Sequence, residues 1–425
     1  METMKTEYDT IVIGGGQAGL ATGYYLQQAG LRFLILEAGP EPVGSWPNFY
    51  DSVLLNTPAR YSALPGLPFP GEADRYPARD EVVAYLRRYA AHFKLPIKTG
   101  ARVSKVERLG RLFRVVTAGQ GHFLARTVVA ATGFFGRPHR PDLPGQTKYR
   151  GQRLHAADYH RPEPFEGQRI VVVGGANAAI QIGIELADVA QVTLATREPI
   201  RYRSQRLLGR DIHFWLAKTG LDRTQWLGDR TTPVFDGGRY QAAIAAGQPD
   251  RRPMFRRFTA EGVVWSDGTP EAVDAVIFAT GYRPNLPYLA GLGALNEAGQ
   301  AHQRRGVSNS VPGLYYTGLS RQQNAASGTL RGAGMDAKFI VAQLKRYHQA
   351  QERERNSGPA HPQPVWLARS NELLVLISLI LFALKGQLAG AWAAAPKLVG
   401  EALVRLLILG VGSLGYGQAA GLYSR

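Results

Sequence analysis

Two glycine fingerprints stand 160 residues apart in this 425-residue chain, Gly14-Gly15-Gly16-Gln17-Ala18-Gly19 and Gly174-Gly175-Ala176-Asn177-Ala178-Ala179. Each follows a short apolar run, Thr10 to Ile13 and Ile170 to Val173, and opens a stretch with helical patterning. A strand, a glycine turn and a helix in that order make up a dinucleotide-binding βαβ unit. The first glycine permits the tight turn, the second lets the main chain approach a pyrophosphate, and the third lets helix and strand pack closely. The helix N-terminus then attracts the anion. Gly14, Gly16 and Gly19 fill all three places in the first unit, whereas in the second Gly174 is followed by Ala176 at the close-approach place and Ala179 at the last. The residue 23 positions past each first glycine differs in charge: Glu37 after the first, Arg197 after the second. A glutamate there suits unmodified ribose hydroxyls, and an arginine suits a 2′-phosphate, to which Thr196 would add a hydroxyl. The chain is expected to be an α/β protein that holds two different nucleotides.

With 45% hydrophobic residues, a chain of this length buries more than one core, and two to three domains are expected. It has no cysteine. That excludes chemistry by a redox-active dithiol, a thiolate zinc site or an iron-sulfur cluster carried by these residues, and no metal site is expected. The start Met1-Glu2-Thr3-Met4-Lys5 lacks the basic-then-apolar pattern of a signal segment, so the expected compartment is the cytoplasm. The formal charge is +17, and residues 197 to 257 concentrate part of the excess. No nucleic-acid-binding motif accompanies it, so a phosphorylated cofactor, an anionic substrate or an anionic membrane surface is the better match. Trp215 and Trp226 in that stretch are expected in the core or on a lid.

Patterning along the chain predicts a helix over 17–29 ended by Gly30, a strand from Phe33 to Glu37, a long irregular loop from Asn56 to Gly71, and a helix over 80–93. The segments Thr127 to Gly133 and Asp274 to Gly281 are both buried-type strands stopped by Thr-Gly, and they would bracket an inserted domain. The layout is then two Rossmann-like domains, a discontinuous first one (1–159 and 281–356) and an inserted second one (160–280). A linker over 357–364 and an apolar helical tail over 365–425 follow. In the tail, Leu373 to Leu384 is an unbroken apolar run stopped by Lys385, and a second lies around Arg405. Both fall short of the ~20 residues of a spanning helix, so the tail is open to spanning the membrane, lying on it, or packing on the first domain or a second subunit.

Between the fingerprints, Tyr149-Arg150-Gly151-Gln152-Arg153-Leu154-His155-Ala156-Ala157-Asp158-Tyr159 resembles the identifying sequence of flavin-containing monooxygenases, with tyrosine for the leading phenylalanine. Gly44-Ser45-Trp46, Leu55-Asn56-Thr57-Pro58, Ala131-Thr132-Gly133, Ala279-Thr280-Gly281-Tyr282 and Pro312-Gly313-Leu314-Tyr315-Tyr316-Thr317-Gly318 extend the resemblance over residues 8 to about 345. It is narrowest to the bacterial branch often described as cation-transport-associated flavoproteins. Tyr159, where the Baeyer-Villiger branch has tryptophan, makes that branch less similar.

The resemblance implies FAD on the first unit, held by Gly14, Gly16, Gln17, Ala18, Gly19 and Glu37, with Ser45, Trp46, Thr132, Gly133 and Gly318 also at the cofactor. It implies NADPH on the second, at Gly174, Ala176, Asn177, Ala179 and Arg197, and Thr280 and Gly281 are further cofactor-binding candidates. The turn Arg331-Gly332-Ala333-Gly334 would lead into a helix at Met335 aimed at the flavin pyrimidine edge. Asn56 is the candidate catalytic residue, by position able to hydrogen-bond the flavin edge, and is equally readable as the start of a turn before Pro58. His155 is read as orienting the second domain, and Tyr159 as packing the linker. The implied chemistry is hydride transfer from NADPH to flavin, formation of a C4a-hydroperoxide with O2, and oxygen transfer to a soft nitrogen or sulfur nucleophile on a small molecule. Leu319 stands where disulfide reductases and related flavoenzymes usually place aspartate. Electron transfer to a quinone, or a sensor of NADPH linked to a transporter, are the rival readings.

Overall fold

A computed structural model of the protein describes residues 7–224 and 233–356. The linker, the apolar tail and Trp226 lie outside them. The two largest sheets of the described chain each carry one glycine fingerprint at the end of a central strand.

Thr10–Ile13 are buried on both faces, so the first strand, Glu7–Ile13, occupies the middle of a nine-stranded sheet. A continuous apolar run is the signature of a parallel strand covered on both sides. It pairs in parallel with Phe33–Leu36 in the register Val12↔Ile35, and with Gly121–Ala130 in the register Val12↔Val129. The strand Leu314–Tyr316 returns late in sequence to lie parallel to Gly121–Ala130 on its other side. Helix Gln17–Gln28 crosses between the first two strands and buries Ala18, Leu20, Ala21 and Leu26. Gly23 lies over the sheet, where a Cβ would meet Ile35 at 2.8 Å.

The second sheet has five parallel strands, in the order Asp250–Pro253, Gln191–Thr196, Arg169–Val173, Ala275–Phe278, Gln152–His155. Helix Asn177–Ala187 repeats the crossover and buries Ile180, Ile182 and Leu186. This sheet takes in Gln152–His155, earlier than the boundary at 160 expected from sequence. The reason is physical: it is an edge strand with a single neighbour, and its exposed Gln152 and Arg153 lack the apolar pattern of a strand covered on both sides. The chain leaves the first sheet through Arg137–Pro138 and returns through Tyr282–Arg283, and these two crossings pair antiparallel.

Helix Leu330–Asn356 begins earlier than predicted, so Arg331 to Gly334 form its first turn and not a turn before it. Its glycines serve packing: a Cβ on Gly332 would lie 2.0 Å from the Ala326 carbonyl oxygen, and one on Gly334 would lie 3.0 Å from Pro65. The loop from Asn56 to Gly71 is irregular, as expected, but two tyrosines of helix Arg79–His92 clasp it. Tyr85 donates to the Leu67 carbonyl at 2.7 Å and accepts from the Leu64 N–H at 2.7 Å, and Tyr89 donates to the Pro65 carbonyl at 2.6 Å. Among the described residues, no helix is long and apolar enough to cross a membrane.

Candidate functional site

The first fingerprint forms a furrow floored by backbone. Gly14 has φ +108°, and a Cβ there would sit 2.7 Å from the Ala131 carbonyl oxygen. A Cβ on Gly19 would sit 1.9 Å from the Gly14 carbonyl oxygen, so neither place admits another residue. Three further glycines border the same furrow. A Cβ on Gly44 would come within 2.8 Å of the Gly16 Cα, and one on Gly318 within 2.7 Å of the Ala18 methyl and 3.8 Å of Gly133. Helix Gln17–Gln28 has no side-chain cap and no acidic residue in its first turn, so the N–H groups at its start face the furrow without a competing acceptor.

Glu37 is buried at the edge of this turn. Its two carboxylate oxygens accept the Gly15 N–H at 2.5 Å and the Gly39 N–H at 2.7 Å. A carboxylate accepts at about four positions, so two remain for the hydroxyls of a ribose. Side chains around it are already engaged: Gln17 accepts from the Trp46 indole N–H at 2.9 Å, and Thr132 shares a 3.0 Å hydrogen bond with the buried Tyr288 hydroxyl. Ser45 caps the short 3-10 turn Trp46–Asn48 through its carbonyl. The furrow therefore fits the ADP end of a dinucleotide through glycine backbone, helix N–H groups and Glu37.

The second fingerprint repeats the geometry with one change. A Cβ on Gly174, at φ +145°, would lie 2.5 Å from the Ala279 carbonyl oxygen, and the buried Ala179 methyl packs 3.2 Å from it. Ala176 is exposed in extended backbone, φ −105° and ψ −179°, a conformation any residue adopts, so the alanine carries no strain. Helix Asn177–Ala187 is also uncapped by a side chain, and Asn177 Oδ1 is buried with no partner among the described residues. A buried, unpartnered amide oxygen beside uncapped helix N–H groups suits a polar ligand that both donates and accepts. Arg197 follows strand Gln191–Thr196 and is exposed. Thr196 does not join it: its side chain is buried and accepts from Arg251 Nε at 3.0 Å.

Three residues near Arg197 escaped the sequence reading. His139 is held below the ordinary imidazole range by burial first and then by Arg283, Arg197 and Arg137. Arg137 and Arg283 belong to the two paired crossings, so this cationic corner is drawn from the crossings and from the end of a strand of the second sheet. The available signal was their position just past the repeated Ala-Thr-Gly stops.

Thr280 and Gly281 weld the crossings. Thr280 donates its hydroxyl to the His139 carbonyl, and the Gly281 carbonyl accepts both the His139 N–H at 2.9 Å and His155 Nε2–H at 3.0 Å. His155 is fully buried and its Nδ1 accepts the Ala157 N–H at 3.0 Å, which fixes a neutral ring with its hydrogen on Nε2. Burial pulls its pKa down. Tyr159 is buried as well and donates to Glu185 at 2.8 Å. An aromatic row, Trp46, Phe49, Phe135 and Tyr282, runs from the first furrow to the crossings with ring centroids 5.1 to 5.5 Å apart. Asn56 is half-buried. Its carbonyl accepts from Gln205 Nε2 at 3.2 Å, and its side-chain amide makes no hydrogen bond among the described residues.

This chain is similar in sequence and fold to known proteins. A family described as pyridine nucleotide-disulphide oxidoreductase matches residues 11–222. The uncharacterized oxidoreductase CzcO of Bacillus subtilis (strain 168) is 33% identical over 344 residues, 79% of this chain and 99% of that protein. The flavin-containing monooxygenase of Stenotrophomonas maltophilia is 34% identical, with a TM-score of 0.72, across 80% of this chain and 99% of its own. The chain belongs to the flavin-containing monooxygenase superfamily. Within it, the chain falls in the bacterial CzcO branch. Indole-3-pyruvate monooxygenase YUCCA1 of Oryza sativa subsp. japonica is a further relative, 29% identical over 393 residues, 82% of this chain and 93% of that protein. This flavin-containing monooxygenase homologue is accordingly an enzyme, a flavoprotein oxidoreductase whose cofactors are FAD and NADP. Disulphide chemistry has no thiol to run on among its 425 residues.

Proposed function

We propose that the enzyme is an NADPH-dependent monooxygenase that places one oxygen atom on a soft nitrogen or sulfur nucleophile of a small molecule. The observation that carries this reading is the pairing of two uncapped, glycine-floored helix starts on separate sheets, one with Glu37 and the other with exposed Arg197. On this reading FAD lies on residues 1–159 and 281–356, its ADP half against Gly14, Gly16, Gly19 and Glu37, with Gln17, Ala18, Ser45, Trp46, Thr132, Gly133 and Gly318 lining its path. NADPH lies on the inserted residues up to 280, against Gly174, Ala176, Asn177 and Ala179, with Arg197 on its 2′-phosphate and Thr280 and Gly281 shaping its edge.

When bound, the flavin supplies hydride acceptance and oxygen activation. The chain's own work is positional. Glu37 orients a ribose, the helix starts neutralise phosphate charge, the aromatic row from Trp46 to Tyr282 excludes water, and the free amide of Asn56 offers a hydrogen bond at the reacting edge. An acid-base pair is not required for oxygen transfer to a soft nucleophile. The test is stoichiometry under 18O2 with a thioether or an amine: one NADPH consumed and one 18O atom in the product are expected. Turnover only with an added quinone, or no reduction by NADPH, sinks the proposal.

A further inference from the structure

Behind the Asn56 loop lies a buried polar cluster that neither nucleotide fingerprint uses. Asp211 is the N-cap of helix Ile212–Thr219. Its Oδ1 accepts the His213 backbone N–H and His213 Nδ1–H, both at 2.8 Å. Its Oδ2 accepts the Tyr76 hydroxyl at 2.5 Å and Gln205 Nε2–H at 2.7 Å. Burial pushes the Asp211 carboxyl up, but hydrogen bonds from His213, Tyr76 and Gln205 outweigh it and hold the group at about 2. It is therefore a carboxylate with four donors on it, and the hydrogen between it and the imidazole belongs to Nδ1.

The other ring nitrogen faces the loop. His213 is 8% exposed, its ring packs against Phe235 at 5.6 Å, and Nε2 lies 3.4 Å from the Thr57 hydroxyl. Arg206, the cross-strand partner of Asp211, is the charged neighbour that acts on Tyr76. Gln205 ties the same cluster to the Asn56 carbonyl at 3.2 Å. Carboxylate, imidazole and hydroxyl stand in the order by which a triad orients a hydroxyl, and the hydroxyl is next in sequence to the candidate catalytic amide.

We propose that Asp211 and His213 are positioning residues that make Thr57 a hydrogen-bond acceptor for substrate N–H, so that the site favours a primary or secondary amine over the matching thioether. In the tautomer with Nδ1–H directed at Asp211, His213 presents the Nε2 lone pair to the loop, and Thr57 donates its one hydroxyl hydrogen there. The remaining lone pairs of Thr57, on a half-buried side chain, are left to accept. A thioether has no hydrogen to offer them. One such net hydrogen bond corresponds to about a tenfold preference.

The inference rests on the oxygenation reading, but its test does not need turnover. Dissociation constants of piperidine and of its sulfur counterpart, thiane, are measured on the oxidised holoenzyme, together with the His213 tautomer by 15N NMR. The expected results are an Nδ1–H tautomer, a fall of about tenfold in the piperidine-to-thiane preference in Thr57→Val, recovery in Thr57→Ser, and a comparable fall in His213→Phe. Flavin content and melting temperature check that each variant is folded. An Nε2–H tautomer, no preference in the wild type, or an unchanged ratio in a folded Thr57→Val overturns the proposal. A wild type that binds piperidine selectively yet yields no oxygenated product overturns the oxygenation reading and leaves this one standing.

Discussion

Asp336 is fully buried in the second turn of helix Leu330–Asn356. Ser327 donates to its Oδ1 at 2.9 Å, and Oδ2 has no partner among the described residues. Burial raises its pKa to about 7 against the lowering effect of Ser327. A folded-state pKa above the unfolded value means that the native protein binds the extra proton, so the stabilisation is complete below about pH 4 and is lost as pH rises through about 7. Asp336→Asn mimics the protonated form and should flatten that loss, with a melting temperature above the wild type at pH 8 and near it at pH 4. Equal melting curves at both values would refute the assignment. No sequence pattern announces this group, because its pKa depends on what covers it. Glu37 is the opposite case: strand end and glycine turn are both local in sequence, so its place beside Gly15 was readable, although the two backbone N–H groups that fix its carboxylate were not. Gly19 carries a second prediction. A Cβ there would lie 1.9 Å from the Gly14 carbonyl oxygen, so Gly19→Ala must shift the helix from the turn, and the purified enzyme should lose most of its bound flavin, measured by absorbance per chain.

Strands buried on both faces announce themselves by unbroken apolar runs, which is why Thr10–Ile13 and Ile170–Val173 were legible and exposed Gln152–Arg153 was not. The helix at Leu330 was misplaced because glycine signals a turn in sequence, whereas Gly332 and Gly334 permit contact with Ala326 and Pro65. At this scale the linker motif is a fastening, with His155 at its centre: one ring nitrogen holds the second sheet's edge to the Gly281 crossing and the other caps the Ala157 N–H. His155→Phe fills the space but removes two hydrogen bonds at partly buried groups, those of the Ala157 N–H and of the Gly281 carbonyl, which keeps the His139 N–H, at about 0.5–1.5 kcal/mol each. The expected outcome is a clear fall in thermal stability with no shift in the pH dependence of turnover. A displaced pH profile at unchanged stability would instead make His155 a proton carrier.

Across the whole molecule the two proposed nucleotide ends are marked by opposite charge, and the cationic end is assembled only by folding. Arg197 was readable at the end of its strand, but Arg137 and Arg283 reach the same corner from the two crossings, far away in sequence. Three guanidiniums around an exposed corner repel one another, and a 2′-phosphate relieves that repulsion where an unmodified ribose does not. Arg197→Ala should therefore raise KM for NADPH by about 10- to 100-fold, the range of one to two charge-assisted hydrogen bonds, and leave KM for NADH nearly unchanged. Salt separates direct contact from general attraction by the +17 chain. Exposed charges are screened within about 10 Å at 0.1 M ionic strength, so moderate salt should weaken the contribution of Arg137 and Arg283 more than a paired Arg197–phosphate contact. Steady-state kinetics with both coenzymes at low and high salt make the comparison. An equal rise in KM for NADPH and NADH in Arg197→Ala would remove Arg197 from the phosphate and return the selectivity to the corner as a whole.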